Sequence, residues 1–209
     1  MVDSLSVLWT IVPQFAPQPH LHCSRCGGAK PFSSSERFRV NANGRRIDAW
    51  LIYKCAACDN TWNRPVLERT NIASVDPLHL AALQSNDPRL ARRIAFDIDG
   101  LRHTTQRIDE SPDVLVRKDL RSAGTTPVQR LEIGLAVPEP TRLRLDRLLA
   151  TELGLPRKRV HRLHAENRLA IASGSARMLR RPLRDGTCLT LDLSRESDRI
   201  AISLAARPG

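Results

Sequence analysis

The 209-residue sequence has few aromatic residues and no long apolar run. Phe, Trp and Tyr together make up 4% of the chain, so we do not expect base stacking to dominate any nucleic-acid contact. No stretch approaches the roughly 20 apolar residues of a membrane-spanning helix. The apolar segment Ser6–Val12 has no basic residue before it and no small-residue cleavage site, which argues against a signal peptide. We therefore expect a cytoplasmic protein with no membrane partner.

Motifs of catalysis are also missing. The chain contains no Gly-rich phosphate loop and no nucleophile motif, and the acidic residues of segment 66–140 form no pair spaced for general acid–base chemistry. We therefore expect a protein that is not an enzyme and has no small-molecule substrate. An enzyme remains an alternative only if segment 66–140 supplies residues that no motif reveals.

Acidic residues are outnumbered by basic ones, which gives a net charge of +11. The charge is +4 over residues 1–65, −1 over 66–140 and +8 over 141–209. A strongly basic surface favours polyanionic partners. Arginine greatly outnumbers lysine, and its planar guanidinium suits bidentate phosphate contacts.

Four of the five cysteines form two C-x-x-C pairs, Cys23/Cys26 and Cys55/Cys58, with 28 residues between them. Two such turns supply four thiolates to one tetrahedral ion, so we predict one structural Zn²⁺ with no open coordination position. The alternatives are a redox pair, which needs a thioredoxin-like strand–helix context, and two disulfides, which need an oxidising compartment. His20 and His22 precede Cys23, and either is an alternative ligand, although we expect both to be exposed or next to the ligands.

The residues between the two pairs predict a zinc ribbon within residues 1–70. Phe38–Ala42 and Arg46–Lys54 have the composition of strands, and Asn43-Gly44 is a hairpin signal between them. Arg45 and Arg46 flank that turn and are candidate phosphate contacts. The remaining strand candidates of this segment are Leu5–Val12 and Thr61-Trp62.

Residues 71–140 predict a helical or mixed segment. Asp76-Pro77 and Asp87-Pro88 each combine an acidic N-cap with a proline at the first helical position. Three further elements are predicted, an amphipathic stretch and two strands: Ile98–Ile108, Asp113–Arg117 and Leu131–Ala136.

Residues 141–209 predict two helices followed by short strands. Leucines at helical spacing end at Gly154, a second helix begins at Pro156, and Asn167 is placed for a left-handed turn. Strands are predicted at Leu169–Ala172 and Cys188–Leu193, with turns at Ser173–Ser175 and Asp185-Gly186. Cys188 is expected to be buried. The alternation of Ile200, Ile202 and Leu204 suggests an edge strand.

The basic residues of these two helices form a candidate RNA surface. Lys158 and Arg162 share a helix face opposite the apolar side, and Arg157 lies at the helix start. Arg144 and Arg147 lie on the first helix. Such a surface is suited to phosphate oxygens, the alternative being a solvated face.

This C-terminal region resembles the small RNA-binding domain first described in ribosomal protein S-four. The resemblance rests on Arg144-Leu145-Asp146, the Arg-rich start of the second helix, the strand after a turn, and Asp185-Gly186. It implies that the two-helix face binds structured RNA, such as ribosomal RNA, a ribosomal subunit or tRNA. The sequence departs from that family at three positions, and no Val-Asn-Gly follows the strand. Those positions are Pro156, His164 and Asn167, where the family has serine, an aliphatic residue and glycine.

The whole layout resembles a bacterial family designated domain of unknown function 1062, on the segment from Lys54 to Asn63 and the helix within Asn86–Asp97. The fold class predicted is α+β, with a zinc ribbon (1–70), a mixed linking segment (71–140) and an S-four-like domain (141–209). The function predicted is zinc-containing, non-enzymatic RNA binding. The alternative is a zinc-ribbon scaffold for protein–protein or DNA-associated interactions.

Overall fold

The computed structural model describes residues 3–123, 128–172 and 176–208. They form a mixed α+β structure with two five-stranded sheets and six α-helices among the described residues. The chain divides into two compact units. The terminal unit comprises residues 1–14 and 112–209, and the inserted unit comprises residues 15–111. None of the described helices is long and apolar enough to cross a membrane.

The terminal unit is built on a sheet that combines both ends of the chain. Its strands are β1 (Ser4–Pro13), β7 (Val114–Ser122), β8 (Arg130–Ala136), β9 (Leu169–Ile171) and β10 (Cys188–Asp192). Their order in the sheet is β7-β1-β8-β10-β9, and β1 pairs in parallel with β8. Its helices are α4 (Leu145–Glu152), α5 (Arg157–Ala165) and α6 (Arg199–Ala206), and a 3₁₀ turn spans Ala176–Arg180.

One apolar core holds this unit together. Alternate residues of β1, including the fully buried Trp9, pack with the leucines of α4 and with Val160 and Leu163 of α5. The indole Nε1 of Trp9 donates a hydrogen bond to the carbonyl of Ala206, 3.0 Å away. The start of the chain is therefore anchored to α6.

The inserted unit contains the other sheet. Its strands are β2 (Gln18–Cys23), β3 (Gly28–Asn43), β4 (Arg46–Cys55), β5 (Thr61–Asn71) and β6 (Ile108–Asp109), in the order β5-β4-β3-β2-β6. Its helices are α1 (Pro77–Gln84), α2 (Pro88–Ala95) and α3 (Ile98–Arg102), and a 3₁₀ turn spans Ile72–Ser74. Asp76 and Asp87 cap the backbone N–H groups of α1 and α2, as their position before proline predicts.

The division into units differs from the predicted boundaries at 70/71 and 140/141. The first strand does not join the cysteine-containing sheet, and β7 and β8 do not belong to a linking segment. The reason is long-range pairing: β1 lies between β7 and β8, whose register no local pattern reveals. Residues 71–140 therefore contribute to both units.

Two local predictions need correction, and a third is not tested. The described part of the predicted edge strand, residues 194–208, contains the helix α6 and no strand; the buried residues Ile202, Ser203 and Ala206 have helical spacing. Cys188 is exposed, because alternation along β10 directs Leu189 and Leu191 into the core instead. The predicted turn at Ser173–Ser175 lies outside the described residues.

The hairpin between β3 and β4 forms one residue later than its Asn-Gly signal. Asn43 pairs with Arg46, so that Gly44 and Arg45 are the two central residues. Gly44 has φ of +60°, the sign that a type II′ turn requires at its first central position. Glycine therefore determines the turn, while Asn43 belongs to the strand.

A candidate metal centre and a basic helix pair

The four predicted cysteine ligands lie together in the inserted unit. Their Sγ atoms are all within 4.8 Å of one another, and those of Cys23 and Cys58 are 3.5 Å apart. Cys23 and Cys55 are buried, whereas Cys26 and Cys58 are partly exposed. The arrangement is close enough to hold a single metal ion.

Two matching turns present these thiols. Cys23 ends β2 and Cys55 ends β4, and each carbonyl accepts a hydrogen bond from the N–H four residues later, from Gly27 at 2.9 Å and Asp59 at 3.0 Å. Gly27 and Asp59 both have positive φ, +70° and +58°. The sequence gives no signal for this role of Asp59, because glycine is the expected residue at such a position.

Polar groups around the thiols influence their ionisation. Burial disfavours the Cys23 thiolate, but hydrogen bonds from the Cys26 backbone and neighbouring thiols together lower the pKa of Cys23 to about 6. The hydrogen bond with Cys58, with burial, raises the pKa of Cys26 to about 12. Asn60 Nδ2 lies 3.6 Å from Cys23 Sγ, and Arg25 Nη1 donates to the Cys58 carbonyl at 3.1 Å. The site thus favours thiolate at one position before any ion binds.

The two histidines near the first pair have other surroundings. His20 Nε2 lies 2.7 Å from Asp109 Oδ2, which lowers the pKa of that carboxyl group, and His22 is exposed. Within the described residues, the cluster of possible metal ligands around Cys23 consists of the four cysteines and includes neither histidine.

The basic helix pair, α4 and α5 of the terminal unit, contains five of the predicted RNA-binding residues when the N-cap of α4, Arg144, is included. Arg147, Lys158 and Arg162 are exposed, and Arg162 Nε lies 3.8 Å from Glu166 Oε1 in a solvent-exposed pair. Arg147 and Arg157 line the same surface hollow of about 410 Å³. The other residues of this hollow are Ala150, Thr151 and Leu155.

Asp146 organises the start of both helices. It is completely buried, and its Oδ2 accepts hydrogen bonds from Arg157 Nη2 at 2.8 Å and Arg144 Nη2 at 2.9 Å. The ring Nε2 of His161 lies 3.0 Å from the same oxygen. The side chains of Arg144 and Arg157 remain 40% and 52% exposed. In the sequence, only the family resemblance points to Asp146. Nothing points to His161, because its contact with Asp146 joins two different helices.

Two other predicted residues lie in the inserted unit. Arg45 and Arg46 are exposed at the β3–β4 turn, and Arg46 Nη1 donates to the Arg69 carbonyl at 2.7 Å. The predicted RNA-binding residues are therefore divided between the two units.

A model of the family described as Protein of unknown function (DUF1062) matches residues 40–175, which is more than half of the chain. No curated protein and no solved structure matches. The matched region includes β4 with Cys55 and Cys58, the helices of the inserted unit and the basic helix pair. On this match, the chain belongs to the DUF1062 family.

Proposed function

We propose that this chain is a cytoplasmic, non-enzymatic, zinc-containing RNA-binding protein whose basic helix pair binds structured RNA, such as ribosomal RNA, a ribosomal subunit or tRNA. The observation that carries the proposal is the hollow shared by Arg147 and Arg157. A concave surface with two guanidinium groups and the Thr151 hydroxyl provides donors for phosphate oxygens. Recognition through shape and phosphates suits folded RNA, because protein side chains do not read the deep major groove of an RNA helix.

The charge of the helix pair supports this assignment. Around Asp146, the two arginines exceed the single carboxylate by one positive charge, and both guanidinium groups retain access to solvent. The side chains of Arg147 and Lys158 form no ion pair with any described residue. Asp146 therefore orients part of the surface without neutralising it.

The order of elements also supports an S-four-like domain. Two helices, a short strand and a second strand follow one another as α4, α5, β9 and β10. Asn167 has φ of +58°, so it occupies the conformation that the family's glycine provides. His164 Nδ1 lies 2.9 Å from the Leu169 carbonyl, a contact that accommodates a polar ring at a usually aliphatic position. Pro156 precedes α5 without a side-chain cap.

Zn²⁺ is the ion we assign to the four-cysteine site. Soft thiolates favour zinc, and four Zn–S bonds of about 2.3 Å place tetrahedral sulfurs about 3.8 Å apart. The Sγ atoms all lie within 4.8 Å of one another, and those of Cys23 and Cys58 are 3.5 Å apart, so each separation differs from the tetrahedral spacing by no more than about 1 Å. Four thiolates leave no position for a substrate water, so the ion would link the β2–β3 and β4–β5 turns. Arg45 and Arg46 would then be a second group of phosphate contacts on a rigid hairpin.

The test replaces Lys158 and Arg162 together by alanine in the full-length protein. Affinity for total ribosomal RNA and tRNA is measured as a function of salt concentration. We expect weaker binding to all structured RNAs and a salt slope that is smaller by about one unit for each lost phosphate contact.

The matched control replaces Arg89 and Arg93 by alanine, because these exposed cations have the same i, i+4 spacing on α2 of the inserted unit. An unchanged slope in the Lys158/Arg162 variant, or an equal loss in the control, would remove the RNA assignment of this face. The protein would then be treated as a zinc-ribbon scaffold for protein or DNA-associated interactions.

A further inference from the structure

The sheet of the inserted unit has one face outside its apolar core. Side chains alternate along β4, and four of them enter the core: Ile47, Ala49, Leu51 and Tyr53. The other side chains of β4 lie on the opposite face, which we call the outer face. They are Arg46, Asp48, Trp50, Ile52 and Lys54.

Trp50 lies at the centre of the outer face. Its cross-strand neighbours are Arg39 on β3 and Pro65 on β5, and the Arg39 guanidinium carbon lies 6.0 Å from its ring centroid. The other two tryptophans differ: Trp9 is fully buried and Trp62 packs against the apolar core. Trp50 is only partly buried and is outside the core clusters of the described residues. Its large ring therefore presents apolar surface to solvent.

Apart from Ile52 and Pro65, the surroundings of Trp50 are polar and positively charged. Arg39, Arg46 and Lys54 outnumber the single carboxylate of Asp48, whose Oδ1 already accepts the backbone N–H of Arg69 at 2.7 Å. Exposed asparagines continue the same face on the neighbouring strands, because Asn41, Asn43 and Asn63 pair with Asp48, Arg46 and Ile52. A site for an apolar protein segment would favour aliphatic neighbours, whereas amides and cations around one indole match a base and its phosphate.

We propose that the outer face binds an unpaired nucleobase of single-stranded RNA, stacked on Trp50 while Arg39 contacts a phosphate. Aromatic rings on a sheet face accept any base, and nearby cations follow the backbone. This site lies in a different unit from the helix pair. The inference shares only its ligand class with the proposed function and does not rest on the helix pair.

The test measures binding of a fluorescently labelled oligouridine of about ten nucleotides, within the site sizes of single-strand binders, to the full-length protein. Trp50→Ala is expected to weaken binding about tenfold, and Trp50→Phe is expected to retain most of it because the phenyl ring still stacks. Phe15→Ala is the matched control, since Phe15 is an exposed aromatic residue of the same unit (55%) outside the outer face. Binding of a deoxyoligonucleotide of matching sequence is measured in the same way, to establish whether the outer face also binds single-stranded DNA.

Thermal unfolding of each variant establishes that its fold is retained. Wild-type affinity in Trp50→Ala, or an equal loss in Phe15→Ala, would overturn the proposal, as would a Trp50-dependent protein contact without any oligonucleotide binding. The Lys158→Ala, Arg162→Ala variant should bind the oligouridine normally while losing structured RNA. Failure of the helix-pair function is therefore separable from failure of the Trp50 site.

Discussion

Asp146 Oδ2 accepts a hydrogen bond from Arg157 Nη2, which is 2.8 Å away and belongs to a residue 11 positions later in the chain. The bond joins the first turn of α4 to the start of α5, and it fixes one of the two arginines that line the 410 Å³ hollow. A buried carboxylate thus determines the position of a cation on the surface.

Replacing Asp146 by asparagine should lower the free energy of unfolding by about 1–3 kcal/mol, because hydrogen bonds to a charged group are lost at a buried position. The loss is moderate, since both guanidinium groups remain accessible to water. Urea denaturation measures it. Asp99→Asn, in an exposed pair with Arg102, is the control and should change stability by less than about 0.5 kcal/mol. Equal effects of the two substitutions would contradict the structural role of Asp146.

Acid should destabilise the terminal unit through the same carboxylate. Burial alone would raise the pKa of Asp146, but hydrogen bonds from Arg157 and His161 and the nearby arginine charges lower it below its ordinary value of 3.8. The unfolded chain therefore binds the proton more readily, so the stabilisation is present above pH 3.8 and is lost as the pH falls through the folded-state pKa. Glu196, held by Arg159 and Arg168, acts in the same direction. Unfolding midpoints measured across acidic pH should decline less steeply in Asp146→Asn, and identical profiles would rule out this contribution.

Removal of the metal should unfold the inserted unit. Wild-type protein should contain about one zinc per chain. The Cys55→Ser variant should lose the zinc, and its residues 15–111 should be unfolded, because structural zinc supplies folding free energy. Elemental analysis and hydrogen exchange measure the two effects. Cys188→Ser is the control, since Cys188 is exposed and belongs to the terminal unit. Iron in place of zinc, or full zinc content in Cys55→Ser, would show that the assignment is wrong.

The first cysteine turn should depend on one of its two glycines. Gly27→Ala should lower stability by about 1 kcal/mol, because Gly27 has φ of +70° and an L-residue is strained there. Gly28→Ala is a close control: a Cβ at either position meets no atom within 4 Å, but Gly28 lacks the positive φ. Thermal unfolding of the zinc-loaded protein compares them, and similar losses at the two positions would exclude backbone strain as the cause.

Local chemistry explains which features the sequence predicted. The C-x-x-C pairs and the Asp-Pro helix starts are determined by residues within a few positions of one another, and the structure has both. The two compact units differ from the predicted domain boundaries because the partners of β1 are residues 114–122 and 130–136, far along the chain. Cys188 was wrongly expected to be buried, since a short apolar strand does not reveal which of its two faces meets the core. The cluster around Asp146 depends on both local and long-range structure. Its residues can be identified in the sequence, but the turn between α4 and α5 brings them together.

The backbone N–H of Gln14 donates to the carbonyl of Asp113 at 3.0 Å, so the chain leaves the terminal unit and returns to it at neighbouring points. The ribosome therefore releases β1 before the whole inserted unit, and the two strands that flank β1 only after that unit. Until β7 emerges, β1, which carries Trp9, has no neighbouring strand of its sheet to pair with. The inserted unit can fold during this interval. We expect the nascent chain to be most susceptible to aggregation while β1 is unpaired.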